Sequence, residues 1–113
     1  MMYVLFACAQ TVNNIVSEEI LSRIKLPFEE RIRYSKSEAA TKLFSVMIEK
    51  QTNLCVAADV TQIDRLLVLA DELGPFICVL KIHSDIIECY SNKDREELKN
   101  LAARHNFLIM EDR

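Results

Sequence analysis

Glycine is almost absent from this chain: Gly74 is the single one in 113 residues, and proline occurs only as Pro27 and Pro75. One glycine excludes any Gly-rich phosphate-cradling loop, because such loops need several positions without a β-carbon where backbone amides close on the ligand. So few breakers, with half of the residues hydrophobic and 27% charged, also exclude a flexible or low-complexity chain. One ordered domain is expected from this length. There is no Lys/Arg cluster and the net charge is -3, so neither nucleic acid nor a membrane surface is an expected partner. Met1 to Ala9 is apolar but far short of the ~20 residues that span a bilayer. It lacks a positive lead, so it reads as no secretion signal despite Ala7-Cys8-Ala9. Cys8, Cys55, Cys78 and Cys89 form no C-x-x-C or C-x-x-H pair, which leaves buried, reduced thiols of a cytoplasmic protein as the expectation.

What is present is an alternation of helical and strand patterns. Ser35-Lys36-Ser37-Glu38 fits a capping box, and Ala40, Leu43, Phe44, Met47 and Ile48 follow as one apolar helical stripe that should pack on something large. Asn53 to Val60 reads as a strand. Thr61 to Asp64 resembles a second cap, Ile63, Leu66, Leu67, Ala70 and Leu73 repeat the stripe, and Gly74-Pro75 stops it, with glycine expected in the left-handed conformation. Phe76 to His83 is a second strand and Ser84 to Ile87 a single turn. Asp94 is expected to cap a third helix that ends at Asn106, before a third strand over Phe107 to Asp112. Residues 1–33 are expected to be a linker or peripheral helical segment, interrupted near Leu26-Pro27, and residues 34–113 the main domain.

Each strand acquires its ionisable groups at its carboxyl end: Asp59, then Lys81 and His83, then Asp112. Strand-helix-strand units cross over right-handedly into parallel sheets, so all these ends open on one side, where such folds place their sites. A lysine between two acids compensates the cost of burying charge. The array could grip ribose hydroxyls or stress a charge on a substrate. A purely structural ion-pair network, and for His83 a hydrogen-bonded filler, use the same residues. No metal-ligand spacing occurs. Three strands are too few for a barrel of eight, and an uncovered parallel edge invites association, so a larger assembly is expected.

Ala40 to Phe44, Glu49 to Cys55, Ala58-Asp59-Val60, Leu73-Gly74-Pro75, Ile77 to Lys81 with His83 and Asp85-Ile86, and His105 to Ile109 with Glu111-Asp112-Arg113 together resemble the front part of the orotidine 5'-phosphate decarboxylase family. The resemblance runs from roughly Phe28 to Arg113, about three quarters of the chain, and Leu26 to Arg31 is similar to the approach to this domain in bifunctional uridine monophosphate synthases. It implies an α/β fold, the N-terminal portion of a TIM (β/α)8 barrel with its first three parallel strands and their helices. It also implies a homodimer, and decarboxylation of orotidine 5'-phosphate to uridine 5'-phosphate and CO2 without metal or cofactor. By position, Asp59, Lys81 and His83 would bind the ribose side of the substrate. Asp112, the first acid of the family's D-x-K-x-x-D motif, would face the substrate carboxylate and act with Lys81 as the catalytic pair.

The motif's lysine would fall immediately after Arg113, with its second acid and the late phosphate-binding loops beyond, so the resemblance implies a truncated portion that is inactive without the remainder. Ala57 stands where the family often has serine and Ile82 where it usually has threonine. A second reading is a non-catalytic assembly or regulatory fragment that binds full-length decarboxylase subunits. A receiver-like signalling domain with Asp112 as phosphoacceptor would need an acidic pair after the first strand and two further strands, and the sequence offers neither.

Overall fold

Alternating side chains and a row of helix stripes lead to a sheet with helices on its faces. The structure, a computed structural model, describes residues 2–4 and 18–112. Its elements are β1 (Met2–Val4), α1 (Glu18–Ile24), α2 (Phe28–Arg31), α3 (Glu38–Lys50), β2 (Cys55–Ala58), α4 (Ile63–Leu73), β3 (Val79–Ile82), α5 (Asn92–His105) and β4 (Leu108–Glu111). Short 3-10 turns cover Ile32–Tyr34, Gly74–Phe76 and Ser84–Ile86. The sheet order is β1-β2-β3-β4, with β2, β3 and β4 parallel and β1 antiparallel on the outer edge of β2. The three parallel strands with their connecting helices are the arrangement of the opening part of a (β/α)8 barrel.

Register fixes which residues share a face. Val56, Leu80 and Ile109 stand side by side, as do Ala58, Ile82 and Glu111. This outer face packs under α4 and α5 through Leu66, Ala70, Leu98 and Leu101, all buried. Cys55, Val79 and Leu108 form the first row of the inner face, and Ala57, Lys81 and Met110 the second. Leu43, Val46 and Met47 of α3 cover the first inner row, so the expected large partner of that stripe is the amino-terminal end of the sheet. An apolar plug therefore fills the inner face at one end and leaves the other end to polar groups.

One lysine ties this plug to the strands. Lys50, at the end of α3, donates from Nζ to the carbonyls of Gly74 (2.6 Å), Ile77 (2.5 Å) and His105 (2.7 Å). Burial pulls its pKa below the ordinary lysine value. Gly74 and Ile77 precede β3 and His105 ends α5 just before β4, so a single cation sets where both strands start.

Several local expectations change on contact with the structure. The cap of α3 is Ser37, whose side chain accepts from the Ala40 amide at 3.1 Å, while Ser35 bonds the Thr41 hydroxyl at 2.5 Å. The cap of α4 is Gln62, whose side chain makes no capping hydrogen bond; the Thr61 carbonyl accepts from the Glu88 amide at 2.7 Å. At α5 the cap is Ser91, with Asp94 as its reciprocal partner. Gly74 is right-handed, φ -47, so its need is space: a β-carbon there would lie 2.8 Å from the His105 Cβ. The strand expected from Phe76 starts at Val79, because Phe76 closes a 3-10 turn and is 65% exposed. The segment expected as linker or helix contains α1, with α2 beginning after Pro27, and also β1, whose three residues pair with β2. Of the cysteines expected to be buried, Cys78 is buried, Cys55 is half-buried and Cys89 is exposed; Cys8 lies outside the described residues.

Candidate functional site

The carboxyl ends of β2, β3 and β4 meet at the unplugged end of the inner face. Lys81 is on the second inner row between Ala57 and Met110, and Asp59, His83 and Asp112 lie at or just past the strand ends. Alternation puts all four on one face, and the parallel register puts Asp59, His83 and Asp112 in one row with Lys81 in the row below. The backbone continues this alignment beyond β4, where the Asp112 amide donates to the Ile82 carbonyl at 3.0 Å.

Lys81 Nζ and Asp112 Oδ2 are 2.6 Å apart, a short charge-assisted hydrogen bond. That bond with Asp112 raises the Lys81 pKa, and the Asp112 and Asp59 charges add to it. The same bond holds Asp112 below the usual carboxylate range, with the Lys81 and His83 charges behind it. His83 Nε2 lies 3.6 Å from Asp59 Oδ1 and 3.8 Å from Asp112 Oδ2. The imidazole therefore bridges the two acids when it is protonated. The Lys81 side chain is 21% exposed and that of Asp112 is 45% exposed, so the array is supported from below and open above. Such a mouth can hold hydroxyls between acids and an ammonium, and can set a fixed carboxylate against a ligand's charge. Among the described residues no group of three His, Cys, Asp or Glu is arranged to hold a metal ion.

The structure brings together all four residues singled out in the sequence. It also adds neighbours that the sequence did not mark. Ser84 donates its hydroxyl to Glu111 Oε1, linking the turn after β3 to the end of β4. Arg65 and Asp59 share the wall of a cleft of about 270 Å³ beside the end of β2. A helical position such as Arg65 carries no mark in the sequence, because one arginine on an exposed helix face is ordinary. A larger concavity, about 490 Å³, lies away from the four residues, among α3, α5 and β4. None of the four lines it, and we assign the candidate site by chemistry and not by size.

Similar proteins carry the same segment. Over 90 residues the chain is 53% identical to the uridine 5'-monophosphate synthase of Naegleria gruberi, covering 79% of this chain and 18% of that protein. Over 92 residues it is 46% identical to the orotidine 5'-phosphate decarboxylase of Coccidioides immitis, covering 81% of this chain and 34% of the relative. The decarboxylase of Candida glabrata is 49% identical over 85 residues, 74% of this chain and 32% of its own length. The chain thus spans from 18% to 34% of the length of these curated relatives. The family model for orotidine 5'-phosphate decarboxylase / HUMPS matches residues 52–113, which include every residue of the strand-end array. On this match, and on the parallel strands that carry it, the chain belongs to the orotidine 5'-phosphate decarboxylase / HUMPS family.

Proposed function

We propose that these 113 residues are the opening sector of an orotidine 5'-phosphate decarboxylase, with residues 34–113 as the barrel segment and residues 1–33 preceding it. The observation that carries this reading is the 2.6 Å contact between Lys81 and Asp112, with Asp59 and His83 beside it, at the carboxyl ends of parallel strands in a family of decarboxylases. Lys81 and Asp59 hold ribose hydroxyls, and His83 lines the same wall. Asp112, kept ionised by Lys81, faces the carboxylate of orotidine 5'-phosphate. As that carboxylate leaves as neutral CO2 its repulsion from Asp112 vanishes, so the site favours the transition state over the bound substrate. The carbon left behind needs a proton. The family's lysine for this step falls outside these 113 residues, so they are inactive alone, and the chemistry calls on no metal or cofactor. We place the protein in the cytoplasm, in keeping with the free Cys55, Cys78 and Cys89.

The test mixes the chain with a separately expressed downstream part of the Naegleria decarboxylase domain and follows loss of orotidine 5'-phosphate by ultraviolet absorbance. Turnover should appear only in the mixture, and Lys81→Ala or Asp112→Ala should each lower kcat/KM by about 10²- to 10³-fold. Turnover by the chain alone would overturn the assignment of the missing proton donor. An active mixture indifferent to both substitutions would overturn the site.

One observation favours a second role. Among the described residues no strand pairs with the outer edge of β4, and Met110 on that strand is 49% exposed. A fragment with such an edge binds full-length decarboxylase subunits without itself catalysing. Co-purification with a full-length relative, with no activity gained on mixing, would favour this role over the first.

A further inference from the structure

In a closed barrel every strand has two strand neighbours, so the first is paired on one edge with the second strand and on the other with the eighth. On the family reading β2 holds the first position here, and β3 and β4 follow it in parallel. Its other edge is already taken. Met2, Tyr3 and Val4 pair with Ala58, Ala57 and Val56, and the direction is antiparallel. Strands of such a barrel are all parallel, so β1 is no member of the closed barrel. A strand edge offers one row of amides and carbonyls and serves one partner at a time. The β1 register covers Val56 to Ala58, three of the four residues of β2, which leaves too little ladder for a second strand.

We propose that β1 occupies the barrel-closing edge of β2 and competes with the last parallel strand of the barrel for it. The chain then exists as an open four-stranded sheet with its first edge blocked, and closure requires β1 to leave. This inference rests on the family reading above for the identity of the competing strand, which is supplied by the remainder of the same barrel.

The experiment compares the intact chain with a Tyr3→Pro/Val4→Pro double variant. Consecutive amides point to opposite sides of a strand, so one of the two prolines removes a donor facing β2 whichever row is bonded. Hydrogen exchange should show faster exchange in the variant at Ala57, whose amide faces β1, and unchanged protection over Val79 to Ile82. Binding of the labelled downstream Naegleria fragment, followed by fluorescence anisotropy, should tighten by about tenfold in the variant. Equal β2 exchange in both proteins would overturn the proposal, and so would fragment affinity that is equal or absent in both. Whether the bound mixtures decarboxylate orotidine 5'-phosphate reports on the functional reading alone. Tighter binding without turnover would therefore sink that reading and leave the strand competition standing.

Discussion

Lys81 and Asp112 move one another's titration in opposite directions, and the signs fix how the fold should respond to pH. Asp112 is held below the ordinary 3.8, so its stabilisation is complete above that value and is lost as pH falls through the depressed one. Lys81 is held above the ordinary 10.5, so its share is complete below 10.5 and is lost as pH rises through the raised value. The difference in urea midpoint between the wild type and Asp112→Asn should therefore be flat between about pH 5 and 9 and shrink toward both extremes. A difference that does not change with pH would mean that the 2.6 Å contact is not made in solution. Gly74 gives a second test at this scale. A methyl added there meets His105, itself held by Asp71 Oδ1 at 2.7 Å, so Gly74→Ala should cost about 1–3 kcal/mol by urea unfolding. The more permissive partner in Gly74→Ala/His105→Ala should recover most of it. Gly74→Ala as stable as the wild type would show that the close approach is relieved at no cost.

Among the elements, α5 depends most visibly on its first turn. Its mean sequence is polar, and its buried contacts are Leu98 and Leu101. Ser91 accepts from the Asp94 amide, and Asp94 Oδ2 accepts from the Ser91 amide at 2.9 Å and hydroxyl at 2.6 Å. Ser91→Ala removes this exchange and should cost about 1 kcal/mol, seen as a lower thermal midpoint, while Ser91→Asp should retain most of it. Elements of this kind show what the sequence could and could not disclose. The strand ends were legible because a period of two assigns faces, and charges appear where apolar runs stop: Asp59, Lys81, His83 and Asp112 needed no coordinates to be placed on one side. Caps were legible only approximately. Ser35 and Ser37 are chemically equal candidates two residues apart, and the choice depends on where α3 begins against the sheet. Gly74 carries the local pattern of a left-handed stop, and nothing local announces a histidine thirty-one positions later in the chain pressing on it. β1 is not legible in the sequence, because a short apolar start has no evident partner until β2 supplies one.

For the molecule as a whole, the two edges of the sheet differ. One is the three-residue antiparallel β1, and the other, β4, carries no strand among the described residues and shows Met110 on its inner side. Such an edge should make the chain self-associate. Sedimentation velocity is expected to show concentration-dependent growth for the wild type, and Met110→Lys, a charge on the edge strand, should suppress it. Monomeric wild type over the same concentrations would show that the edge is shielded. The family match begins at residue 52, yet the helix that seals the inner face comes earlier, at Glu38–Lys50. That order has a consequence for synthesis. When β2, β3 and β4 leave the ribosome, the helix that must cover Cys55, Val79 and Leu108 has already emerged. The floor is laid before the walls rise, and the greasy underside of the nascent sheet finds its cover without waiting for any later part of the polypeptide.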